Sequence, residues 1–376
     1  MTVTREPTLI ALAAGGTGGH VFPAHALAAT LEARGHRLAL LTDTRGHHYG
    51  GVLARIDTHA IRSASPSAPG LFAKLGALLR LALGTREARR LLGRLKPGAV
   101  VGFGGYASVP PLLAAHHLGI PTVLHEQNAV LGRANRLLAR RVDRIATSFP
   151  ATRRVPAEAT ARVVCTGNPV RPPIAALGGA GYRAPGVDGP LKLLVFGGSQ
   201  GAQVLSRLVP AALAKLPDRL RSRLVVVQQT RPEDLDEVVA AYRAAAIAAE
   251  CAAFFDDRAA RLETAHLVIA RSGASTVAEL AASGRPAVLI PYPYALDDHQ
   301  SANAEALTAA GAAWLMPQAN LSVEALVTAI GGLLDEPERL VQAAEAARGF
   351  ARRDAAHALA DLVKRLIAAP SMEARP

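Results

Sequence analysis

The sequence predicts an α/β protein made of two doubly wound, Rossmann-like domains that face each other across a cleft. Three observations support this prediction. A unit of strand, glycine-rich loop and helix occurs twice, and short apolar runs alternate with helical stretches. In addition, a chain of 376 residues with 50% hydrophobic content is too long for a single ordinary hydrophobic core. Because ligands bind beyond the carboxyl ends of strands in such sheets, we expect the functional site at the junction of the domains.

The strand–loop–helix unit is the clearest local pattern. Its first copy has an apolar strand at residues 8–14, the loop GGTGGH at 15–20 and a helical pattern over 23–34. Its second copy has the strand LKLLVF at 191–196 and the loop GGSQGA at 197–202, with a helix after it. Other apolar runs predict further parallel strands, at residues 38–42, 99–103, 122–126, 223–228, 266–270 and 287–291.

Domain boundaries follow from local composition. Residues 171–190 are rich in Pro and Gly and have little periodicity, so we expect a linker between a first domain at 1–170 and a second at 191–349. The last helical stretch, 337–368, is expected to pack back across both domains, and its end, from about 350 to 376, is expected to lie on the first.

Positive charge is concentrated in the first half of the chain. The net charge is +12, and residues 1–170 hold 21 Lys and Arg against 8 Asp and Glu, whereas the rest of the chain holds 21 against 22. An anionic partner for the first domain is therefore expected. A coding bias toward Arg is the plainer explanation, but it does not account for the asymmetry.

Cysteine and hydropathy patterns exclude several protein classes. Cys165 and Cys251 lie far apart without metal-ligand spacing, which argues against a disulfide framework or a zinc site and fits a reducing cytosol. The apolar N-terminal run lacks the basic start and cleavage site of a signal peptide, and no apolar run of about 18 residues predicts a membrane span. Any membrane contact is therefore expected to be peripheral.

The first glycine loop suits an anion, because its backbone amides and the start of the next helix point at the ligand. The residues after Gly18 depart from the dinucleotide-binding fingerprint. Asp43, after the second strand, keeps a nicotinamide-dependent oxidoreductase open as an alternative. A second glycine loop at Gly197 argues against that alternative, since one dinucleotide needs only one such loop.

The segment HLVIARSGASTVAEL at 266–280 predicts a site for a diphosphate and a ribose. The turn that begins at Ser272 offers backbone amides, Thr276 a hydroxyl group and Arg271 a full charge. Glu279, one turn into the helix, can accept hydrogen bonds from both ribose hydroxyls. Helix capping is the simpler alternative for Ser272 and Thr276.

Other polar groups also follow predicted strands. DDHQSAN at 297–303 suits sugar hydroxyls, with a metal site at its two adjacent aspartates as the alternative. The carboxyl ends of parallel strands lie at one edge of a sheet, so we expect three motifs of the first domain to converge there: HEQN at 125–128, GGYAS at 104–108 and GNPVR at 167–171. For each of these motifs, an ordinary turn without a ligand is the alternative.

Taken in order, these motifs resemble the MurG family of UDP-N-acetylglucosamine transferases, which act on undecaprenyl-diphosphoryl-N-acetylmuramoyl-pentapeptide. The resemblance covers nearly the whole chain, and HEQN and GGSQGA together are not shared by generic two-domain nucleotide-sugar enzymes. The motifs that carry it are GGTGGH, GGYAS, HEQN followed by Gly132 and Asn135, GNPVR, GGSQGA, RSGASTVAEL and DDHQSANA. It implies a GT-B glycosyltransferase architecture, with no cofactor and no metal.

The resemblance also assigns residues to the donor, UDP-N-acetylglucosamine (UDP-GlcNAc). It implies that Glu279 binds the ribose, that Phe255 lies beside the uracil and that Gln300, next to His299, contacts the GlcNAc hydroxyls. The implied donor set is Thr17, Gly18, Gly19, Asn128, Arg171, Ser199, Gln200, Phe255, Arg271, Ser272, Thr276, Glu279 and Gln300.

On the acceptor side the resemblance implies Gly105, Tyr106, His125 and Glu126, with Arg171 close by. It also implies inversion at the anomeric carbon, by direct attack of a C4 hydroxyl. The expected catalytic residues are His20, Glu126 and Asn128. His20 is our hypothesis for the base, because imidazole titrates near neutral pH. In the alternative, His20 contacts a phosphate and Glu126 or His125 takes the proton.

Residues 71–96 predict a segment that contacts a membrane. They contain seven Lys or Arg and one acidic residue, Glu87, and their apolar positions spread over more than one helical face. A basic rim around an apolar patch favours an anionic bilayer, and a polyprenyl-linked acceptor requires such a landing site at the cytoplasmic face of the cell membrane. A buried helix is the alternative.

Two rival functions remain open at this point. A UDP-GlcNAc 2-epimerase shares the two-domain architecture, but it does not need an apolar, basic first domain. A nucleic-acid-binding module would explain the basic composition. Only 4% of the residues are aromatic, and the positive charge does not interleave with stacking residues, so we expect no nucleic-acid partner.

Overall fold

The computed structural model describes residues 7–15, 18–43, 51–65, 70–198 and 201–368. The chain divides into two compact units. The first unit comprises Met1–Arg171 with Arg352–Pro376, and the second comprises Pro172–Ala351. Within the described ranges, no helix combines the length and the apolar character needed to cross a bilayer.

A seven-stranded parallel sheet forms the first unit. Its strands are β1 (Leu9–Ala13), β2 (Arg37–Thr42), β3 (Asp57–Ala60), β4 (Ala99–Gly102), β5 (Thr122–Glu126), β6 (Arg144–Thr147) and β7 (Val163–Cys165). They lie side by side in the order β3-β2-β1-β4-β5-β6-β7. The order reverses between β1 and β4, so the crevice beyond the carboxyl ends of these two strands is the expected ligand position in this unit.

Helices cover both faces of this sheet. They are α1 (Gly18–Ala33), α2 (Leu71–Leu95), α3 (Val109–His117), α4 (Arg133–Leu138) and the C-terminal α14 (Ala355–Ala368). Ile10 and Leu12 of β1 pack in one core cluster with α1 and α14, whereas Ala11 packs in the opposite cluster with α2, α3 and α4. Alternate residues of β1 therefore face opposite sides, and both sides are buried.

A six-stranded parallel sheet forms the second unit. Its strands are β8 (Leu191–Phe196), β9 (Leu224–Gln229), β10 (Ala248–Ala252), β11 (Leu267–Ala270), β12 (Ala287–Leu289) and β13 (Ala313–Leu315). Their order is β10-β9-β8-β11-β12-β13. The order reverses between β8 and β11, which places the loop after β8 and the start of the helix after β11 beside one crevice.

The helices of the second unit are α5 (Pro172–Leu177), α6 (Gln203–Ala214), α7 (Asp218–Arg221), α8 (Leu235–Ala244), α9 (Arg258–Thr264), α10 (Ala274–Ser283), α11 (His299–Ala309), α12 (Val323–Asp335) and α13 (Pro337–Phe350). A core cluster joins β8, α6, α8 and α12 through fully buried side chains such as Leu193, Val209 and Ile330. Burial of an aliphatic side chain of this size contributes about 1.5–3 kcal/mol, so such clusters hold the helices on the sheet.

Three boundaries differ from the sequence predictions. Helix α1 begins at Gly18, five residues before the predicted start, because Gly18 and Gly19 of the predicted loop already form its first turn. The predicted helix over 337–368 is two helices, and the chain passes from the second unit to the first between them. The expected linker begins with α5, whose buried Ile174 and Leu177 lie within the second unit.

Candidate active site

Residues that follow β4 and β5 contact His20, which lies in the first turn of α1. Its ring lies against Gly104 and Gly105, where an added Cβ atom would be 3.3 and 3.4 Å from the nearest atoms of the imidazole. Both glycines have positive φ, 87° and 66°, a conformation that other residues rarely adopt. The GGYAS motif therefore leaves space for the imidazole of His20.

Gln127 connects His20 to the interior of the first unit. Its side chain is buried, and its Oε1 lies 3.1 Å from His20 Nδ1. Its Nε2 donates to the carbonyl of Phe103 at 3.0 Å and lies 2.9 Å from Nδ1 of His125. Sequence reasoning did not select Gln127 as a site residue; its position inside HEQN was the available signal.

His125 is completely buried, which argues against the expectation that it contacts the acceptor or takes its proton. Its Nε2 lies 3.1 Å from the carbonyl oxygen of Gly167, and its ring is tilted against that of Phe103. Burial lowers the pKa of His125 from 6.5 to about 4; the hydrogen bond to Gly167 opposes this shift and the nearby His20 adds to it. The ring is therefore neutral at physiological pH.

Glu126 is also buried, and four N–H groups donate to its carboxylate. Oε1 accepts from the backbone and side-chain nitrogens of Asn128, at 2.9 and 3.2 Å. Oε2 accepts from the backbone of Gly132 at 2.8 Å and from the side chain of Asn135 at 2.6 Å. These bonds fix the loop after β5, so Glu126 is placed to organise the site rather than to accept a proton from the substrate.

The other predicted residues of the first unit lie on several of its elements. Tyr106 lies in a short 3₁₀ helix after β4 and is half-buried, as is Asn128. The guanidinium carbon of Arg171 lies 5.1 Å from the ring centroid of Phe22 in α1. Gly18 and Gly19 form the start of α1, Gly105 precedes Tyr106, and Thr17 lies outside the described residues.

In the second unit, the loop after β8 depends on its glycines. A Cβ atom on Gly197 would lie 2.4 Å from the backbone nitrogen of Ala202, which no side chain tolerates. Gly201 has a φ of 69°, and an added Cβ would lie 2.6 Å from Cγ of Arg231. The chain can therefore turn tightly at the crevice. Ser199 and Gln200, predicted to face the donor, lie outside the described residues.

The start of α10 and the start of α11 are joined by hydrogen bonds. The hydroxyl group of the buried Ser272 donates to the carbonyl of Gln300 at 2.8 Å, and Nδ2 of Asn303 donates to the carbonyl of Ser272 at 3.1 Å. Oε1 of Gln300 accepts from the backbone of Tyr292 at 2.9 Å. The structure thus brings the predicted diphosphate and sugar motifs together, with the buried Thr276 in the first turn of α10.

Arg271 makes contacts that the sequence did not predict. Its Nη1 donates to the carbonyls of Ile290 and Pro291, at 3.0 and 2.9 Å, and its Nη2 donates to Oε1 of Gln318 at 2.7 Å. Burial lowers the pKa of the guanidinium from its ordinary value, opposed by the nearby Tyr292. The side chain that we expect at the diphosphate therefore holds the loop after β12.

Glu279 is buried in α10 and forms an ion pair with Arg258 of α9. Arg258 Nη1 donates to Oε2 of Glu279 at 3.3 Å, and the same guanidinium lies 4.3 Å from the ring centroid of Phe196 at the end of β8. The carboxylate predicted to bind a ribose is thus at the β8/β11 crevice. Sequence reasoning missed Arg258, because its link to Glu279 spans two helices.

Phe255 lies in the loop after β10, and the guanidinium carbon of Arg261 is 3.9 Å from its ring centroid. Arg261 also pairs with Glu250 and Asp257, and these hydrogen bonds lower the pKa of both carboxyl groups. The neighbouring Phe254 is 72% exposed. An aromatic ring is therefore available at this loop, and Phe255 is the one held by a cation.

The two adjacent aspartates of the DDHQ motif, Asp297 and Asp298, both adopt positive φ. Oδ1 of Asp298 accepts from the hydroxyl group of Ser301, and His299 Nδ1 lies 2.7 Å from the carbonyl of Leu296. These contacts shape the turn into α11. Among the residues that the structure describes, no group of three or more His, Cys, Asp and Glu is arranged to hold a metal ion.

Comparisons with known proteins agree with this geometry. Residues 10–147 match the N-terminal domain of glycosyltransferase family 28, and residues 192–364 match its C-terminal domain. Two relatives are named UDP-N-acetylglucosamine--N-acetylmuramyl-(pentapeptide) pyrophosphoryl-undecaprenol N-acetylglucosamine transferase. The relative from Paramagnetospirillum magneticum is 55% identical over 97% of this chain and 98% of its own, and that from Rhodospirillum rubrum is 56% identical over 96% and 92%.

A solved structure gives the same result. The crystal structure of MurG from Acinetobacter baumannii superposes with a TM-score of 0.76 at 32% identity, covering 96% of this chain and all of that one. The predicted fold class, two doubly wound α/β domains of a glycosyltransferase, is confirmed. On the strength of its family 28 domains and its nearly full-length identity to these relatives, the chain belongs to the MurG family of UDP-N-acetylglucosamine transferases.

Proposed function

We propose that this chain transfers N-acetylglucosamine from UDP-GlcNAc to the C4 hydroxyl of N-acetylmuramic acid in undecaprenyl-diphospho-muramoyl-pentapeptide, a step of peptidoglycan synthesis. The observation that carries the proposal is the 55% identity, along 97% of the chain, to a relative whose name states this transfer. In each unit, polar side chains also lie at the point where the strand order of the sheet reverses, which supports the proposal.

The second unit is proposed to bind the donor. The first N–H groups of a helix have no intrahelical partner, so the start of α10 offers donors to the diphosphate beside Ser272. Each helix-terminus interaction contributes about 0.3–1 kcal/mol in ordinary settings, so several must act together. The Glu279 carboxylate accepts hydrogen bonds from the ribose hydroxyls, and the Phe255 ring lies beside the uracil. Arg271, three residues before α10, adds positive charge. This charge stabilises the negative charge that grows on the departing UDP.

The first unit is proposed to hold the acceptor and to supply the base. His20 is half-buried in the crevice beside β1 and β4, and His125 and Glu126 are committed to interior hydrogen bonds. Because those two side chains have no free route to a substrate proton, His20 is the group best placed to accept the proton from the C4 hydroxyl as it attacks the anomeric carbon. Asn128, held by Glu126, is placed to contact a sugar.

Helix α2 is proposed to contact the anionic cytoplasmic face of the cell membrane. Ala77, Leu81 and Ala88 form its buried face, but large apolar side chains in its first half remain exposed: Phe72, Leu75, Leu78, Leu79 and Leu83. Lys74 and Arg80 lie among them. An apolar patch with basic neighbours binds anionic bilayers, where a polyprenyl-linked acceptor resides.

The test is a transfer assay with purified full-length protein. Radiolabelled UDP-GlcNAc and a short-chain polyprenyl-diphospho-muramoyl-pentapeptide are incubated together, and the lipid product is analysed by mass spectrometry. We expect the lipid to gain one N-acetylhexosamine and UDP to be released in equal amount. Formation of N-acetylmannosamine from the donor without acceptor would instead identify a 2-epimerase.

A further inference from the structure

The orientation of the Gln127 side-chain amide is determined by its neighbours. Three atoms surround its Nε2: the carbonyl oxygen of Phe103 at 3.0 Å, the carbonyl oxygen of His125 at 3.2 Å and Nδ1 of His125 at 2.9 Å. Both carbonyls can only accept, so the group that faces them must be the NH₂ end. The amide oxygen of Gln127 is therefore directed at His20.

The tautomer of His125 agrees with that orientation. Its Nε2 faces the carbonyl oxygen of Gly167 at 3.1 Å, and a carbonyl requires a donor, so Nε2 carries the hydrogen. A fully buried imidazole with a pKa lowered by burial to about 4 is neutral at pH 7, so it has only this one hydrogen. Nδ1 of His125 is then an acceptor, which the NH₂ of Gln127 satisfies.

These two assignments determine the tautomer of His20. Its Nδ1 lies 3.1 Å from Oε1 of Gln127, an oxygen that can only accept. Nδ1 of His20 must therefore carry the hydrogen, and in the neutral ring the lone pair lies on Nε2. That atom is on the side of the ring against Gly105, where an added Cβ would be 3.4 Å from it.

We infer that Gln127 is a positioning residue for the transfer reaction: it holds neutral His20 in the Nδ1–H tautomer, so that Nε2 is the atom that accepts the substrate proton. A neutral imidazole in water favours the opposite tautomer, with hydrogen on Nε2, which cannot act as a base at that atom. This positioning role rests on the proposed function of His20. A chain of hydrogen bonds runs from His20 through Gln127 and His125 to the carbonyl of Gly167.

Two substitutions separate tautomer control from packing. Gln127→Met has similar volume but no acceptor for Nδ1 of His20. Gln127→Glu, protonated in this buried position, keeps an oxygen facing His20 and has one O–H, which serves either the Phe103 carbonyl or Nδ1 of His125. We expect Gln127→Met to lower kcat about 10- to 100-fold with KM for UDP-GlcNAc nearly unchanged, and Gln127→Glu to retain most of the activity. Equal kcat in Gln127→Met and the native enzyme would overturn the role.

A direct measurement does not depend on catalysis. Nitrogen-15 NMR of the full chain labelled at its 12 histidines, at pH 8, distinguishes the two tautomers, and His20→Gln identifies the signal by its loss. We expect Nδ1–H for His20 in the native protein and in Gln127→Glu, and Nε2–H in Gln127→Met. Nε2–H in the native protein would overturn the inference even if transfer is observed. Full kcat in His20→Gln would instead refute the proposed base and leave the tautomer assignment standing.

Discussion

Removing the exposed apolar side chains of α2 tests the membrane role of the first unit. Phe72, Leu75 and Leu79 are 89, 63 and 61% exposed, and their spacing of three and four residues places them along one side of the helix. Complete burial of such a side chain contributes about 1.5–3 kcal/mol. Only part of each surface enters an interface, so we assign about 1 kcal/mol to each and about 3 kcal/mol to the three.

Replacing all three with Ser should therefore weaken binding to vesicles that contain anionic lipid by about 100-fold, since 1.4 kcal/mol corresponds to tenfold. Vesicle sedimentation at fixed ionic strength measures this change. Because the side chains are already exposed, the free energy of unfolding should change little. Val187→Ser, at an 88% exposed position in the second unit, is the matched control and should bind as the native protein does.

Transfer to a soluble, short-chain acceptor should survive the triple substitution, because none of the three side chains belongs to the candidate active site. Native-like vesicle binding by the triple variant would refute the membrane role of α2. Equal losses of vesicle binding and of transfer to the soluble acceptor would show instead that these side chains support the fold or the site.

Three further predictions concern the interior of the first unit. His20→Gln should lower kcat about 100-fold or more, whereas the exposed His117→Gln should not, and near-normal kcat of the His20 variant at saturating substrates would remove His20 as the base. Glu126→Gln should lower the free energy of unfolding by about 2–4 kcal/mol in urea denaturation, because four N–H groups lose their carboxylate; native stability would contradict its organising role. The pKa of His125 is about 4 in the folded protein and 6.5 as a free group, so the unfolded chain binds the proton first as pH falls. Stability should therefore decrease between pH 6.5 and 4, by up to about 3 kcal/mol from this residue, and a His125→Gln variant with the same pH dependence would contradict that origin.

The sequence predicted the repeated strand, glycine loop and helix because buried parallel strands are continuous apolar runs. β5 and β8 have the predicted bounds, 122–126 and 191–196. Short edge strands such as β3 and β10 were not predicted, because they contain polar or small residues and are partly exposed. Their strand conformation depends on pairing with β2 and β9, a tertiary contact that local pattern does not contain.

The sequence predicted which types of residue form the site, but not which residues contact each other. That HEQN and RSGASTVAEL end strands in polar groups follows from the sequence. The structure places RSGASTVAEL at the β8/β11 switch point and HEQN at the end of β5, one strand away from the β1/β4 switch point. The contacts of Gln127 with Phe103 and of Arg271 with Ile290 join separate strands. Whether a polar side chain faces a ligand or a backbone carbonyl depends on these long-range distances.

The most direct test of the account is a crystal structure of the full chain with UDP-GlcNAc. We predict that the ribose hydroxyls lie within hydrogen-bonding distance of the Glu279 carboxylate and that the diphosphate lies at the first turn of α10. Uridine bound in the first unit, at the loop after β1, with the ribose hydroxyls away from the carboxylate of Glu279, would contradict it.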